Sequence, residues 1–339
     1  MIGVAILGSG FMARTHAAAW AEHADRAVVR VVASRNLEKA ILVAETCGAE
    51  ASDDLAAAFG RDDVQICDIC LPTPLHRRWA EAAFAAGRDV LLEKPIALTA
   101  EEAKAILAAR DASGRKLVVG LVLRFWAEYE ELHRQVAAGA IGIPQIVSAV
   151  RLSAPPDWNE WMLDPAVSGG VAVDLMVHDF DQVAALIGRP LAVHALAVSA
   201  GPHHASQHVI ATLFCERGSA VVEGGMLLPV SYPFTSGVRV LGTGGVIEYP
   251  FSAAASADGG NIGGVDQAAN ALTLYPTDRD AQRLAVSAGD PWARQAGYLL
   301  DCVETNSRPI RATGEDGLLA LQVALAANRS ISSGAVERV

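Results

Sequence analysis

The chain has 339 residues, 52% of them apolar, and a formal net charge of -11. That length suits two domains, each with its own core, and the acidic balance argues against nucleic acid or an anionic membrane surface as a partner. The chain has no apolar run of bilayer length and no signal-peptide pattern in its first seven residues, and its five cysteines are scattered at positions 47, 67, 70, 215 and 302, so a cytoplasmic protein with reduced thiols is expected.

Ile2, Val4, Ile6 and Leu7 form a short uncharged apolar run, followed at once by Gly8-Ser9-Gly10-Phe11-Met12-Ala13 and an alanine-rich stretch with helical spacing. The pattern predicts strand, tight turn, helix. Gly8 permits the sharp turn, Gly10 lets the backbone approach a pyrophosphate, and Ala13 is small enough for the helix to pack on a sheet. The open N–H groups at the helix start then face the phosphates of a dinucleotide. Val28–Ala33 is a second apolar strand, and Ser34-Arg35-Asn36 follow where an acidic residue would hold ribose hydroxyls. With no carboxylate there, Ser34 as donor and Arg35 as cation favour a 2′-phosphate, and so NADP over NAD.

Leu37–Thr46 reads as a helix, Cys47–Glu50 as a short strand and Asp53–Phe59 as a helical turn or two. Val64–Leu71 reads as a buried strand ending at Pro72-Thr73-Pro74. Cys67 and Cys70 lie in that strand and read as packing rather than as a redox or zinc pair. A helix over Leu75–Ala86 stops at Gly87, the strand Val90–Leu92 runs into Glu93-Lys94-Pro95, and Thr99 with Glu102 forms a capping box for a helix to Asp111. Lys116–Leu123 is the next strand. This alternation predicts a doubly wound parallel sheet with Gly8, Ser34, Pro72 and Lys94 at the carboxyl ends of strands, where ligands bind.

After Leu123 the rhythm changes. A helix over Glu128–Ala138 and a strand over Ile143–Leu152 lead to a Trp-, Pro- and Gly-rich loop over Ser153–Gly170, then a single helix over Val171–Ile187. Strands follow near Ala192–Ser199, His208–Cys215, Ser219–Leu228, Val238–Gly242 and Gly245–Tyr249, with a Gly/Ala/Ser loop over Ser252–Gly264 and helices over Trp292–Thr305 and Asp316–Ile331. The second part is expected to be α+β, with an antiparallel meander in an open sheet and helices on one face. The division is therefore residues 1–123, a Rossmann dinucleotide-binding domain, and residues 124–339, a substrate-binding and oligomerisation domain.

Lys94 precedes a proline, which biases it to an extended backbone at the rim where a nicotinamide ring would lie. In the segment Val171–Ile187, Val173, Met176, Val177, Phe180, Val183, Ala184 and Ile187 make an apolar stripe, and Asp174, His178 and Asp181 fall nearly opposite. Spacing leaves open whether that polar row faces solvent or a cleft; Ser168-Gly169-Gly170 before it favours close approach of a ligand or backbone. Alcohol oxidation needs a proton acceptor, and a histidine oriented by an aspartate one turn away supplies one, while a lysine stabilises a developing alkoxide. Lys94, Asp174 and His178 match those roles. Trp158 and Trp161 could stack on a sugar face or fill a core. Arg124 could bind substrate or pair with a carboxylate. His203, His204 and His208 lack a completing ligand, and no metal site is expected.

These stretches resemble the glucose–fructose oxidoreductase / inositol dehydrogenase / rhizopine-catabolism (Gfo/Idh/MocA) family. The similar segments are Gly8 through His16, Pro72-Thr73-Pro74-Leu75-His76, Glu93-Lys94-Pro95, Arg124-Phe125, Gly169-Gly170-x3-Asp174-x3-His178-Asp179-x-Asp181 and Thr313-Gly314-Glu315-Asp316. The resemblance implies NAD(P)-linked oxidation or reduction of a sugar, polyol or related carbonyl compound. Lys94 would be the catalytic lysine, with Asp174 and His178 the substrate-side pair. Cofactor contacts would come from Gly8, Gly10, Phe11, Met12, Ser34, Arg35, Pro72, Thr73, His76, Glu93 and Lys94, and substrate contacts from Arg124, Trp158, Trp161, Asp174 and His178. A homodimer or homotetramer through the C-terminal sheet is implied as well. Two departures stand out: Ala13 in the third glycine slot, and Ser34-Arg35 in place of the acidic residue of NAD-preferring members. Two alternatives are a non-catalytic dinucleotide-binding regulator on the same scaffold, and a reductase of a dihydrodiol or other non-sugar carbonyl.

Overall fold

The computed structural model describes residues 1–155, 164–200, 206–253 and 270–339. The chain forms two compact units, one of Met1–Phe125 with Gly289–Leu318, the other of Trp126–Ala288 with Leu319–Val339. The first unit is thus built from two intervals. A single cut after Leu123 does not include the return of residues 289–318.

In the first unit the elements run β1 (Ile2–Leu7), α1 (Phe11–Ala21), β2 (Ala27–Ala33), α2 (Leu37–Cys47), β3 (Glu50–Ser52) and α3 (Leu55–Gly60). They continue with β4 (Ile66–Ile69), α4 (His76–Ala85), β5 (Asp89–Leu92), α5 (Ala100–Ser113) and β6 (Leu117–Val119). The strands are all parallel in the order β3-β2-β1-β4-β5-β6, the doubly wound arrangement with its switch point beside β1. Val4, Ala5, Ile6, Leu7, Ile66 and Ile69 are wholly enclosed, as expected of strands covered on both faces. The Asn36 carboxamide accepts the Lys39 N–H to start α2, and Gly48 in the left-handed region ends it. Cys47 therefore belongs to the helix, and the strand expected over Cys47–Glu50 begins only at Glu50. The Thr99–Glu102 capping box opens α5 as expected. The strand expected over Lys116–Leu123 stops at Val119, because Gly120 hands its N–H to Leu92 and the chain turns into a 3-10 segment, Val122–Phe125.

The second unit contains α6 (Ala127–Ala137), β7 (Pro144–Leu152), α7 (Pro165–Ser168), α8 (Gly170–Asp174), α9 (Val177–Ile187), β8 (Pro190–Ala200), β9 (Ser206–Cys215) and β10 (Gly218–Gly225). It continues with β11 (Phe234–Gly242), β12 (Gly245–Ala253), β13 (Thr273–Pro276), β14 (Gln282–Arg283), the latter part of a Gly314–Ser333 helix and β15 (Glu337–Arg338). Its nine-stranded sheet has the order β14-β13-β12-β11-β7-β10-β9-β8-β15. The expected meander is split in the middle: β7 inserts between β10 and β11, parallel to the first and antiparallel to the second. Along β9, Val209, Ala211 and Leu213 are buried while Ile210 and Phe214 are exposed, the alternation of a sheet covered on one face. The helices α8 and α9 lie on the covered face.

The helix expected over Val171–Ile187 is two helices. The Val171 carbonyl accepts both the Leu175 and the Met176 N–H, so one turn is widened to a five-residue span. The cause is packing: a Cβ on Gly224 of β10 would lie 2.3 Å from Met176 Cγ, so Met176 fills the space above that glycine and fixes the break. Within the expected Ser153–Gly170 loop, Asp164 caps the short α7. Positions 156–163, with Trp158 and Trp161, lie outside the described residues, as do His203, His204 and positions 254–264 of the second expected loop.

Candidate active site

The turn after β1 has the geometry that the glycines imply. Gly8 has φ +124°, and a Cβ there would lie 2.3 Å from the Cys70 carbonyl oxygen; no L side chain fits. Gly10 is the N-cap of α1, with an extended backbone and no side-chain cap, and no acidic residue stands in the first turn of the helix. A Cβ on Gly10 would meet open space. Ala13 is wholly buried. The helix thus offers the positive end of its dipole to an anion, and the missing side chain at Gly10 leaves room for it. Phe11 and Met12 are half-buried at that end.

At the end of β2 the Ser9 hydroxyl donates to Ser34 Oγ at 2.8 Å. Arg35 is exposed and, among the described residues, has no ion-pair partner. After β4, Thr73 is buried in a 3-10 turn, Thr73–Leu75, with Pro72 at its N-cap. His76 is wholly buried, its Nδ1 2.9 Å from the Pro95 carbonyl and its Nε2 2.8 Å from the Leu71 carbonyl. It ties the segments after β4 and β5 together. Lys94 is half-buried after β5, and Glu93 before it is 5% exposed.

Beneath this rim lies a polar cluster that the sequence reading missed. Asp68, in the middle of β4, is wholly buried. His16 Nδ1 lies 2.9 Å from both of its oxygens, and Trp20 Nε1 donates to it at 2.7 Å. Burial disfavours a charged His16 ring, but Asp68 and Cys70 outweigh it and hold its pKa well above the ordinary histidine value. His16 Nε2 is 3.2 Å from Glu93 Oε1. Burial, then Asp68, pushes the Cys70 thiol up. Among the described residues, His16, Asp68 and Cys70 are the one group close enough to share a metal ion. A metal takes a neutral imidazole and a thiolate, so binding here would have to displace protons from two groups whose pKa values are both raised. The signal was available: a lone carboxylate in an apolar parallel strand requires a buried partner. Cys67 and Cys70 form no disulfide, and all five cysteines are free.

Arg124 lies 3.1 Å from Asp316, the carboxylate pairing of the two roles left open. Asp316 also accepts the Thr313 N–H and hydroxyl at 2.8 Å, while its own N–H donates to Thr313 Oγ1. The Thr313-Gly314-Glu315-Asp316 motif is thus a reciprocal helix start.

In the second unit, Gly169 and Gly170 both have left-handed backbones, at φ +81° and +78°. A Cβ on the first would strike Val173, and on the second Gln207. Asp174, the last residue of α8, is 4% exposed, and His178, in the first turn of α9, is half-buried. Asp181 is 1% exposed, so the polar row is not a solvated face. Asp179, beside His178, receives a bidentate pair from Arg151 of β7 at 2.8 and 3.0 Å, both side chains buried. His133 of α6 and Gln182 of α9 meet at 2.8 Å, and Gln182 reaches Asp181. His208 finds a carboxylate, Glu223, at 2.8 Å.

Residues 2–121 match a sequence profile described as an oxidoreductase family with an NAD-binding Rossmann fold, and residues 129–248 match the GFO/IDH/MocA C-terminal domain. The chain belongs to the GFO/IDH/MocA family. An inositol 2-dehydrogenase of Rhizobium meliloti (strain 1021) is 33% identical over 197 residues, 57% of this chain and 57% of that protein. The match therefore spans little more than half the length of that relative. A 1,5-anhydro-D-fructose reductase of Ensifer adhaerens is 28% identical over 81% of this chain and 80% of its own. The crystal structure of an aldose-aldose oxidoreductase from Caulobacter crescentus, complexed with glycerol, superposes with a TM-score of 0.85 at 24% identity, covering 100% of this chain and 99% of that one. The family's two-domain fold is therefore the fold of this chain.

Proposed function

We propose that this GFO/IDH/MocA protein is an NAD(P)-dependent oxidoreductase acting on the CH–OH group of a sugar or polyol, or on the corresponding carbonyl. The observation that carries this reading is the uncapped start of α1 behind Gly8 and Gly10, on the same sheet rim as Lys94. A bound nicotinamide supplies the hydride acceptor or donor. The chain's own residues supply the rest. Gly8 and Gly10 admit the pyrophosphate to the helix end, with Phe11, Met12, Pro72 and Thr73 flanking it and Glu93 setting Lys94. Ser34 and Arg35 offer a hydroxyl and a guanidinium to a 2′-phosphate, which favours NADP. In oxidation, Lys94 stabilises the developing alkoxide, His178 takes the hydroxyl proton and Asp174 orients the histidine. Arg124 is available to the substrate only by sharing its Asp316 pair. The exposed side of the nine-stranded sheet supports assembly into a homodimer or homotetramer, and the free thiols suit a cytoplasmic setting. Among the described residues no helix is long and apolar enough to cross a membrane.

The test is titration of the pure protein with NADPH and NADH, followed by nicotinamide fluorescence, and then a sugar and polyol screen with the tighter cofactor. Turnover should disappear in a Lys94→Ala, His178→Ala double variant that still binds cofactor. Full turnover in that variant, or binding of neither cofactor, overturns the reading.

A further inference from the structure

We propose that His16 is a positioning residue for Lys94, acting through a clasp of three buried side chains, Asp68–His16–Glu93, that joins the phosphate-binding helix to the strand end carrying the lysine. The inference rests on the role assigned to Lys94 above.

The geometry runs outward from β4. Asp68 holds His16 Nδ1 through both oxygens at 2.9 Å, and Trp20 fixes the same carboxylate from one turn further along α1. The far edge of the ring reaches Glu93, with Nε2 to Oε1 at 3.2 Å. The other Glu93 oxygen accepts the Lys94 backbone N–H at 3.1 Å. Gly120 closes the carboxylate in from β6: a Cβ there would lie 2.8 Å from Glu93 Oε1 and 3.0 Å from the Lys94 nitrogen. On the other flank His76 holds the Pro95 carbonyl. Each chain neighbour of Lys94 is thus tied to a buried histidine on a helix of the same unit. The ring lies between two carboxylates, hydrogen-bonded to Asp68 and within ion-pair distance of Glu93, and Glu93 carries the amide of Lys94.

Packing alone gives no reason for this arrangement. Three ionisable groups are buried where apolar side chains of similar volume would complete the sheet core at less desolvation cost. What the ions add is a fixed distance and direction between α1 and the end of β5. The helix that would receive the pyrophosphate at Gly10 is the same rigid rod that carries His16, so cofactor seating and lysine placement share one element.

The experiment uses the full chain with His16→Gln and Glu93→Gln, each probing one end of the His16–Glu93 link. If His16 positions Lys94, His16→Gln lowers kcat about 10–100-fold at nearly unchanged KM and nearly unchanged cofactor dissociation constant. Added imidazole should restore part of kcat in His16→Ala, where the ring leaves a matching cavity. A second readout needs no turnover: the rate at which Lys94 is acylated by a succinimidyl ester, mapped by peptide and divided by the rate at the exposed Lys39. That ratio should change severalfold in His16→Gln and in Glu93→Gln alike. An unchanged ratio in both variants, or a kcat loss that only follows loss of cofactor binding or of folded protein, overturns the inference. Should no substrate be found, the reading of function falls, and the acylation ratio still decides whether His16 sets Lys94. Should His16→Gln not fold, Glu93→Gln tests the same link from its other end.

Discussion

Arg35 and His16 are both cations of the first unit, and their surroundings make opposite demands on experiment. Arg35 is exposed and has no carboxylate partner among the described residues. If it serves a 2′-phosphate, its charge matters only when that phosphate is present. Arg35→Ala should weaken NADPH about tenfold or more, the scale of a charge-assisted hydrogen bond of about 1.5–3 kcal/mol, and leave NADH binding nearly unchanged in the same fluorescence titration. No loss for either cofactor would make Arg35 an ordinary solvated side chain, and an equal loss would place it against a part common to both. His16 is buried, and its pKa is raised in the folded state. A raised basic pKa contributes stability that is complete below the unfolded value near pH 6.5, and that stability is lost as pH climbs through the folded value. The gap in unfolding free energy between the wild type and His16→Gln should therefore be widest in mild acid and should narrow toward alkaline pH. Urea melts showing a gap independent of pH would mean that folding does not shift the pKa of the ring.

At the scale of elements, the buried pair Arg151–Asp179 pins the first turn of α9 to β7. Burial pushes the Asp179 carboxyl up, against the pull of Arg151. Arg151→Met should cost about 3–5 kcal/mol of unfolding free energy, since it strands a buried charge. Arg151→Met/Asp179→Leu should recover most of that loss in the same denaturation series; a double variant as unstable as the single would assign the cost to lost packing. The pair also shows what could be read in advance. The turn at Gly8–Ala13 and the capping box at Thr99 were legible in the sequence, because they are local signals. The break between α8 and α9 was not, because it depends on Met176 meeting Gly224, 48 positions away. Nor was the insertion of β7: its parallel partner lies across five intervening elements, and nothing in the alternation of Pro144–Leu152 chooses a neighbour. Asp68 and His16, 52 residues apart, are a partial case. The buried carboxylate announced the need for a partner without saying which residue would meet it.

For the molecule as a whole, the unresolved balance is the exposed side of the nine-stranded sheet. Leu196 of β8 stands directly across from Ile210 of β9, at 63% and 49% exposure. Ile146 of β7 stands across from Leu241 of β11, with Phe214 and Val221 between these rows, also exposed. A face of this kind is poorly matched to water and suited to a second copy, its nearest carboxylate, Glu223 beside Ile210, being paired with His208. Light scattering should find a dimer or tetramer at micromolar concentration. Leu196→Lys with Ile210→Lys should raise the dissociation constant by about two decades, a loss of about 2.8 kcal/mol, because two ammonium groups per subunit would have to be desolvated in the contact. The covered face of the sheet is untouched by these changes, so the dissociated subunit should keep its far-ultraviolet circular dichroism. A wild-type protein that scatters as a monomer, or a double lysine variant that stays assembled, would move the contact to another surface.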